Sequence, residues 1–339
     1  MDIRLLDNND IDEAKALWKS SFDDSDEFID TYFKNKISIG NSLGLFDDGL
    51  ASVVHMLPCK IRVQANVIKS AYIAGAATAE SKRNNGYMRQ LLYESLSLMR
   101  QRGIFITHLY PFKHSFYERL GWATYSYVNN KVVKVGKQSS GSVVEVSERS
   151  KLVPMYRSMM AKCDGYAVRT VRQWENRLSE LFSDGGKAVV LIEDNKPSAY
   201  MMYYGGGEVA EVVETVFESK EKARRLAEHL ALEFKEVQYS VPAKDDSATP
   251  YGMARIVDVA GFLESFDTLS VLNKMQVVDS FATWNNKGNS RKRMDIAEFT
   301  QIVHRGVPPQ KIEGNKRKSH YNALNEKFIQ RSTCIFEQY

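Results

Sequence analysis

The segment best suited to chemistry runs from Arg83 to Met88 and reads Arg-Asn-Asn-Gly-Tyr-Met. It follows an apolar run, Tyr72 to Thr78, and opens a stretch with helical periodicity. A helix start presents backbone N–H groups that have no helical partner, and these groups, with the helix dipole, attract phosphates. Gly86 lets an anion approach the backbone, and Arg83 adds a fixed positive charge. The pattern predicts a phosphate or pyrophosphate site, although a glycine before a helix is also typical of a simple turn.

The elements around this segment are predicted to position it. A helix is expected over residues 87–102, stopped by Gly103, with a short apolar strand at 104–107. Residues 109–122 follow and read LYPFKHSFYERLGW, which ends in a short helix with the motif FYERLGW. The first 135 residues therefore read as a mixture of helices and strands, with an antiparallel meander between residues 43 and 77.

This order of strand, anion loop, helix, strand and short helix resembles the GCN5-related N-acetyltransferases (GNAT). The LYP segment at 109–111 and RNNGYMRQLL at 83–92 resemble the enhanced-intracellular-survival (Eis) branch of that superfamily. The resemblance covers essentially the whole chain and is strongest over residues 72–122. It implies an α/β (α+β) fold with two tandem acetyltransferase-like mixed sheets, flanking helices and a small C-terminal sterol-carrier-like α+β domain.

Three domains are expected from the resemblance. Residues 1–136 would be the catalytic domain that binds acetyl-CoA, residues 137–245 a degenerate acetyltransferase-like domain, and residues 246–339 the sterol-carrier-like domain. A polar stretch at 136–142, rich in Gly and Ser, supports the first boundary. In the second domain the corresponding loop, 217–223, has no glycine and two acidic residues, which argues against a second coenzyme A site. The glycines at 205–207 fit a hairpin turn better than a phosphate cradle.

The resemblance also implies which residues bind the cofactor. The strand before the loop would pair with the pantetheine arm, the loop would hold the pyrophosphate, and two later residues would flank the arm. The residues are Ala76, Ala77, Thr78, Arg83, Asn84, Asn85, Gly86, Tyr87, Met88, Arg89, Phe112 and Lys113. The family more often has a branched apolar residue where this chain has two alanines.

Two catalytic groups follow from the same resemblance. Tyr117 would be the general acid, because a phenol with a pKa of about 10 can give a proton to a departing thiolate. The terminal carboxylate of Tyr339 would be the general base, with the C-terminal tail docked in the active site. Each has an alternative interpretation: Tyr117 as a packed aromatic ring, and the tail as a frayed terminus.

Acidic residues between the first two predicted helices are candidates for binding a cationic acceptor. They are Asp23, Asp24, Asp26 and Glu27. Carboxylates there would attract an amine, but acidic residues also favour the first turn of any helix. Both interpretations stay open from the sequence.

Composition sets the outer limits. The chain has 339 residues, with 46 Lys and Arg against 42 Asp and Glu. No apolar run is long enough to cross a bilayer, and the N-terminus lacks an apolar signal core. Three widely spaced cysteines are expected to be reduced thiols in a cytoplasmic protein, and no metal-ligand spacing is present. The two short basic runs, 287–293 and 316–318, read as solvated loops, so nucleic acid is not an expected partner.

The leading hypothesis is an acetyl-CoA-dependent N-acetyltransferase that modifies a primary amine, on a small molecule or a lysine, by direct attack. The alternative is a non-catalytic scaffold or lipid-binding protein that keeps the fold. A tRNA-dependent aminoacyl transferase is a third interpretation, with little support from the charge pattern. The resemblance implies a homo-oligomer and suggests a hexamer.

Overall fold

The computed structural model describes residues 1–64, 66–138, 141–243, 248–305 and 319–328. Its helices surround two large mixed sheets, as the sequence predicts. We number the helices α1 Ile11–Lys19, α2 Asp26–Asn35, α3 Tyr87–Gln101, α4 His114–Glu118, α5 Val153–Met160, α6 Val171–Ser183, α7 Lys220–Leu230, α8 Val259–Glu264, α9 Ile296–Arg305 and α10 Ser319–Asn325. Within these residues no helix combines the length and apolarity that a bilayer crossing needs.

The first sheet has seven strands in the order β1-β2-β3-β4-β5-β14-β6. All neighbours are antiparallel except β4 and β5, which are parallel and are connected through α3. The strands are β1 Asp2–Leu5, β2 Ser42–Phe46, β3 Leu50–Val63, β4 Asn66–Thr78, β5 Ile106–Leu109, β6 Ala123–Thr124 and β14 Met253–Ile256.

The second sheet also has seven strands, in the order β13-β7-β12-β11-β10-β9-β8. Its parallel pair, β11 and β12, is joined by α7, which repeats the strand–helix–strand arrangement of β4, α3 and β5. The strands are β7 Tyr127–Val133, β8 Ser142–Glu145, β9 Lys187–Glu193, β10 Lys196–Gly206, β11 Val209–Phe217, β12 Glu236–Ala243 and β13 Thr249–Pro250. A third, two-stranded sheet contains β15 Gln276–Val278 and β16 Arg293–Asp295.

Local signals in the sequence account for several of these elements. Ser25 caps α2 through the N–H of Phe28, and Thr170 and Gln173 form a capping box at the start of α6. The glycines at 205–207 lie at the hairpin between β10 and β11, which confirms the turn that the sequence predicts. The helix α7 ends at Leu230, and the residues that follow turn the chain before β12 begins at Glu236.

The sheets cross both of the predicted domain boundaries. Strand β7 precedes residue 136 but pairs with β12 in the second sheet, and β14 follows residue 245 but lies between β5 and β6 in the first. The helices α8 and α9 pack with Ile61, Val63 and Ile106 of the first sheet in one apolar core. The C-terminal residues therefore complete the first sheet, and their likeness to a sterol-carrier domain stays a prediction.

One cysteine differs from the expectation. Cys59 is not part of a disulfide, but Cys163 is disulfide-bonded. The prediction of a reduced thiol is therefore wrong for Cys163, because spacing along the sequence does not reveal which sulfur atoms the fold brings together.

A β-bulge interrupts the pairing of β3 with β4. Val53 lies opposite Ala77 and His55 opposite Ala74, so β4 has one more residue than β3 between these pairs. Gly75 lies in this bulge with φ +54°, and a Cβ built on it would come within 2.3 Å of the Trp18 ring of α1. The bulge thus requires glycine twice over, for its backbone conformation and for the approach of α1.

We expect Gly75→Ala to destabilise the protein by about 2–4 kcal/mol, since it adds a left-handed strain to a clash with a buried ring. Urea unfolding of the two proteins measures the difference. Gly103→Ala is the matched control: Gly103 also has positive φ but no atom within 4 Å of its Cβ position. That control should lose about 1 kcal/mol, and equal losses in both variants would contradict the packing argument.

Candidate functional site

The first sheet opens where β5 separates from β4. Their parallel pairing covers Ala71 to Ile73 and ends at the pair of Ile73 with Leu109. Just beyond, the N–H of Tyr110 donates to the Tyr72 hydroxyl at 2.9 Å, so a side chain replaces the next strand-to-strand bond. No described strand pairs with β4 on this side after Ile73. The result is a free backbone edge in the middle of a sheet.

The residues predicted to pair with a cofactor arm lie on this free part of β4. Ala76 and Thr78 are partly exposed, whereas Ala77 is buried on the other face. The Thr78 hydroxyl is 2.8 Å from Ser52 Oγ, which also donates to the carbonyl of Ala77 at 2.9 Å. These bonds fix the strand from the β3 side and leave its other edge able to bond an extended amide chain.

The predicted phosphate loop lies at the open start of α3. Gly86 is the N-cap with φ +78° and has no side chain to cap the helix. The first intrahelical bond runs from the Gln90 N–H to the Gly86 carbonyl at 3.1 Å, so the N–H groups of Tyr87, Met88 and Arg89 precede the helical ladder. A Cβ at Gly86 would meet no atom within 4 Å, so the space above this turn is open.

Exposed side chains surround that opening. Arg83 donates from Nε to the Thr78 carbonyl at 3.3 Å, which links the loop to the end of β4. Asn85 donates to the Lys82 carbonyl at 3.2 Å, and Asn84 has a positive φ of 66°. The loop residues Arg83 to Arg89 thus form one continuous surface with the free end of β4.

An aspartate that the sequence analysis missed anchors this loop. Asp47 Oδ2 accepts from Lys82 Nζ at 2.8 Å and from the Tyr87 hydroxyl at 2.7 Å. The hydrogen bond from Lys82, followed by that from Tyr87, holds the pKa of Asp47 below its usual value. The sequence does not connect Asp47 with the loop, because its partners Lys82 and Tyr87 lie 35 and 40 residues further along the chain.

Tyr117 lies in α4, beside the opening. It is 3% exposed and packs against Phe116 and Trp122, with ring centroids 5.1 and 6.0 Å away. Burial raises the pKa of its phenol well above the ordinary value. Its apolar cluster includes Ala76 and Met88, so the fold brings the predicted acid together with β4 and the start of α3. No described residue hydrogen-bonds its hydroxyl.

Two further predicted residues border the same opening. Phe112 is 72% exposed, and its ring centroid lies 5.6 Å from that of Tyr117. Lys113 is also exposed and is the N-cap of α4. A large apolar ring in water beside a polar cleft is typical of a binding surface.

The acidic candidates lie across the sheet, where Asp23 and Asp24 are between α1 and α2, and Asp26 and Glu27 are the first two residues of α2. Asp24 Oδ2 accepts from Trp18 Nε1 at 2.8 Å, and burial raises the pKa of its carboxyl. Because the Trp18 ring also packs on Gly75, it connects Asp24 with the β4 bulge. Asp26 is instead paired with Lys19 at 2.6 Å, while Asp23 and Glu27 are exposed. Trp18, which makes this connection, is a residue that the sequence analysis did not include in the site.

The second sheet lacks an equivalent open helix start. Strand β12 pairs with β11 at Val209 to Glu211 and then separates, as β5 does from β4. At the start of α7, however, Ser219 accepts a hydrogen bond from the Lys222 N–H. A side chain therefore occupies the place where α3 has only Gly86. The Tyr339 carboxylate, the predicted base, lies outside the described residues.

Comparisons with known proteins agree with this geometry. Residues 2–125 match the family described as "Acetyltransferase (GNAT) domain". No functionally curated protein is similar enough in sequence to match the chain. Among solved structures, a probable N-acyltransferase from Enterococcus faecalis V583 is 16% identical over 100% of this chain and 99% of its own, with TM-score 0.79.

Two other solved structures align with this chain over its full length and over their own full length. A GCN5-related N-acetyltransferase from Anabaena variabilis is 15% identical with TM-score 0.75, and Eis1 from Mycobacterium abscessus is 16% identical with TM-score 0.68. At these identities the likeness shows a shared fold. The open β4 edge and the uncapped start of α3 both lie within residues 2–125, the part of the chain that matches the acetyltransferase domain, and this match supports an acyltransferase.

Proposed function

We propose that the protein transfers an acetyl group from acetyl-CoA to a primary amine, on a small molecule or a lysine side chain. One observation carries the proposal: the free edge of β4 continues directly into the uncapped start of α3 at Gly86. A ligand that combines an extended amide chain with a diphosphate matches this arrangement, and coenzyme A has both parts. The match to an acetyltransferase domain favours this function over a non-catalytic scaffold.

The cofactor would bind in three parts. The pantetheine arm would pair with the backbone of Ala76, Ala77 and Thr78, and the pyrophosphate would accept from the N–H groups that follow Gly86. Arg83 would supply a positive charge, assisted by the helix dipole. Phe112 and Lys113 would cover the arm from the α4 side, where they are already exposed.

Transfer would proceed by direct attack. The amine nitrogen would bond to the thioester carbonyl carbon, the C–S bond would break, and the leaving thiolate would take a proton from Tyr117. The raised pKa keeps this phenol protonated at neutral pH, and it would lose the proton only as the pH rises far into the alkaline range. The proton that leaves the amine would go to the terminal carboxylate of Tyr339. Alignment of amine and thioester supplies much of the rate.

The acceptor would approach from the α1–α2 side of the sheet. Asp24 is the best placed of the four acidic candidates, because Trp18 connects it to the β4 bulge. A partly buried carboxylate there would attract a cationic amine, so its loss would raise the KM for the amine. Asp23, Asp26 and Glu27 would contribute to the negative field around it.

Assembly and location remain part of the proposal. The resemblance implies a homo-oligomer, with a hexamer as the suggested size, and the composition favours the cytoplasm. The sterol-carrier-like character of residues 246–339 and the docking of the tail belong to the same proposal.

For the cofactor site, we expect Arg83→Gln to weaken acetyl-CoA binding about 5- to 20-fold, because it removes one charge-assisted contact to phosphate. Isothermal titration measures the change in Kd. Arg157→Gln, at an exposed arginine of α5, is the control and should bind as the unchanged protein does. If acetyl-CoA bound Arg83→Gln and the unchanged protein equally, the predicted pyrophosphate position would be wrong.

For the general acid, we expect Tyr117→Phe to lower kcat by about 10²–10⁴-fold, since the ring is kept and only the proton donor is lost. The rate is measured by the release of free thiol from acetyl-CoA. Tyr93→Phe, on a partly exposed ring of α3, removes the same hydroxyl elsewhere and should leave kcat unchanged. An unaltered rate in Tyr117→Phe would reject the role assigned to the phenol.

For the general base, two glycines appended after Tyr339 would move the carboxylate and should lower kcat by about 10²-fold or more. The same two glycines placed before Met1 serve as the control. The assay is again thiol release at saturating acetyl-CoA. Equal rates in the two extended proteins would show that the terminal carboxylate takes no part in proton transfer.

A further inference from the structure

A cavity of about 620 Å³ lies away from the proposed cofactor site. It is lined by β3 and β4 of the first sheet, by the end of α2, and by the start of α6, which packs against α2. The volume is in the range of pockets that hold small organic ligands. Along β4, Lys69 at this cavity and Thr78 at the cofactor site are separated by roughly 30 Å of extended chain.

The charges that line this cavity are of one sign. Among the described residues, no acidic side chain lines it, and five cationic side chains do. These are Lys36, Lys60, Lys69, Arg102 and Arg172. The whole chain has nearly equal numbers of basic and acidic residues, 46 and 42, so an even distribution would place some carboxylates here. Among these five, and counting only residues that the structure describes, Lys36 alone forms an ion pair, with Glu180 of α6 at 2.6 Å.

Two of the lysines are set directly against each other. Lys60 and Lys69 are partners in the register of β3 with β4. Directly opposed side chains on antiparallel strands are about 5 Å apart at Cβ, and like charges in such a pair are unfavourable. In the described part of the chain neither lysine has a carboxylate partner. A bound anion would relieve this repulsion.

The start of α6 adds to the positive potential. Arg172 occupies its first turn, which contains no acidic residue. A cation at this position opposes the helix dipole, whereas an anion in front of it is favoured by the dipole and by the guanidinium together. Arg172 belongs to α6, and Lys60 and Lys69 belong to the first sheet, so one anion could contact both parts.

We propose that this cavity is a binding site for a small organic oxyanion, with carboxylate or phosphate groups held by Lys60, Lys69 and Arg172. The site is distinct from the diphosphate position at Gly86 and does not depend on the proposed function. Its ligand contacts both the first sheet and α6.

The rate at which the Cys59 thiol is alkylated reports on anion binding in this cavity. Cys59 is a half-buried thiol outside any disulfide and lies in the wall of the cavity. We expect inorganic pyrophosphate or citrate to slow its alkylation by iodoacetamide roughly fivefold or more at saturation. Mass spectrometry of the Cys59 peptide measures the rate, and sodium chloride at matched ionic strength is the reference. For each variant, protection is expressed as the rate of Cys59 alkylation with the anion divided by the rate without it.

The double variant Lys60→Gln/Lys69→Gln should lose the protection, and Arg172→Gln should reduce it. Lys131→Gln, at an exposed lysine of β7, should retain it. Arg83→Gln should also retain it, which separates this site from the cofactor site. Protection by citrate alone identifies a carboxylate ligand, and protection by pyrophosphate alone identifies a phosphate ligand. Equal protection by sodium chloride, or full protection in a folded double variant, would overturn the proposal.

Discussion

The separation of β5 from β4 after Ile73 is the constraint on which the site depends. Within a sheet, a strand edge is normally occupied by its neighbour, so an internal free edge exists only where something holds the neighbour away. Here the bulge at Gly75 bends β4 on one side of the gap. At the point where the two strands separate, the Tyr72 hydroxyl accepts a hydrogen bond from the Tyr110 N–H. The result is a row of backbone groups that is ordered and open to a ligand.

The C-terminal part of the chain maintains that gap. Strand β14 pairs with β5 along its full length, so β5 is satisfied on the side away from β4. From β14, the fully buried Arg255 pairs with Asp279 at 2.6 Å and lies over the Trp122 ring. A Cβ on Gly121 would clash with the Arg255 guanidinium. The glycine of the FYERLGW motif is thus needed to make room for the side chain of Arg255, 134 residues later in the chain, and this contact helps to position α4 and Tyr117.

The second sheet shows how small a difference separates an open helix start from a closed one. Both sheets have a parallel strand pair that separates and a helix that crosses between the strands. In the first, the helix begins at a glycine whose Cβ position is empty, and its first N–H groups face open space. In the second, Ser219 supplies the acceptor itself. A capped helix start has less capacity to bind an anion, because its donors already have a partner.

The sequence by itself determined the local features: the start of α3 at Gly86, the extent of that helix, the hairpin at the glycines and the mixed class of the fold. These depend on residues that are close along the chain, where glycine, capping residues and apolar periodicity act directly. Only the tertiary structure decided that β14 lies in the first sheet, that Asp47 anchors the loop, that Cys163 is disulfide-bonded and that Lys60 faces Lys69. These contacts join residues far apart in sequence, and their partners are chosen by how the strands align and pack, which no short pattern encodes.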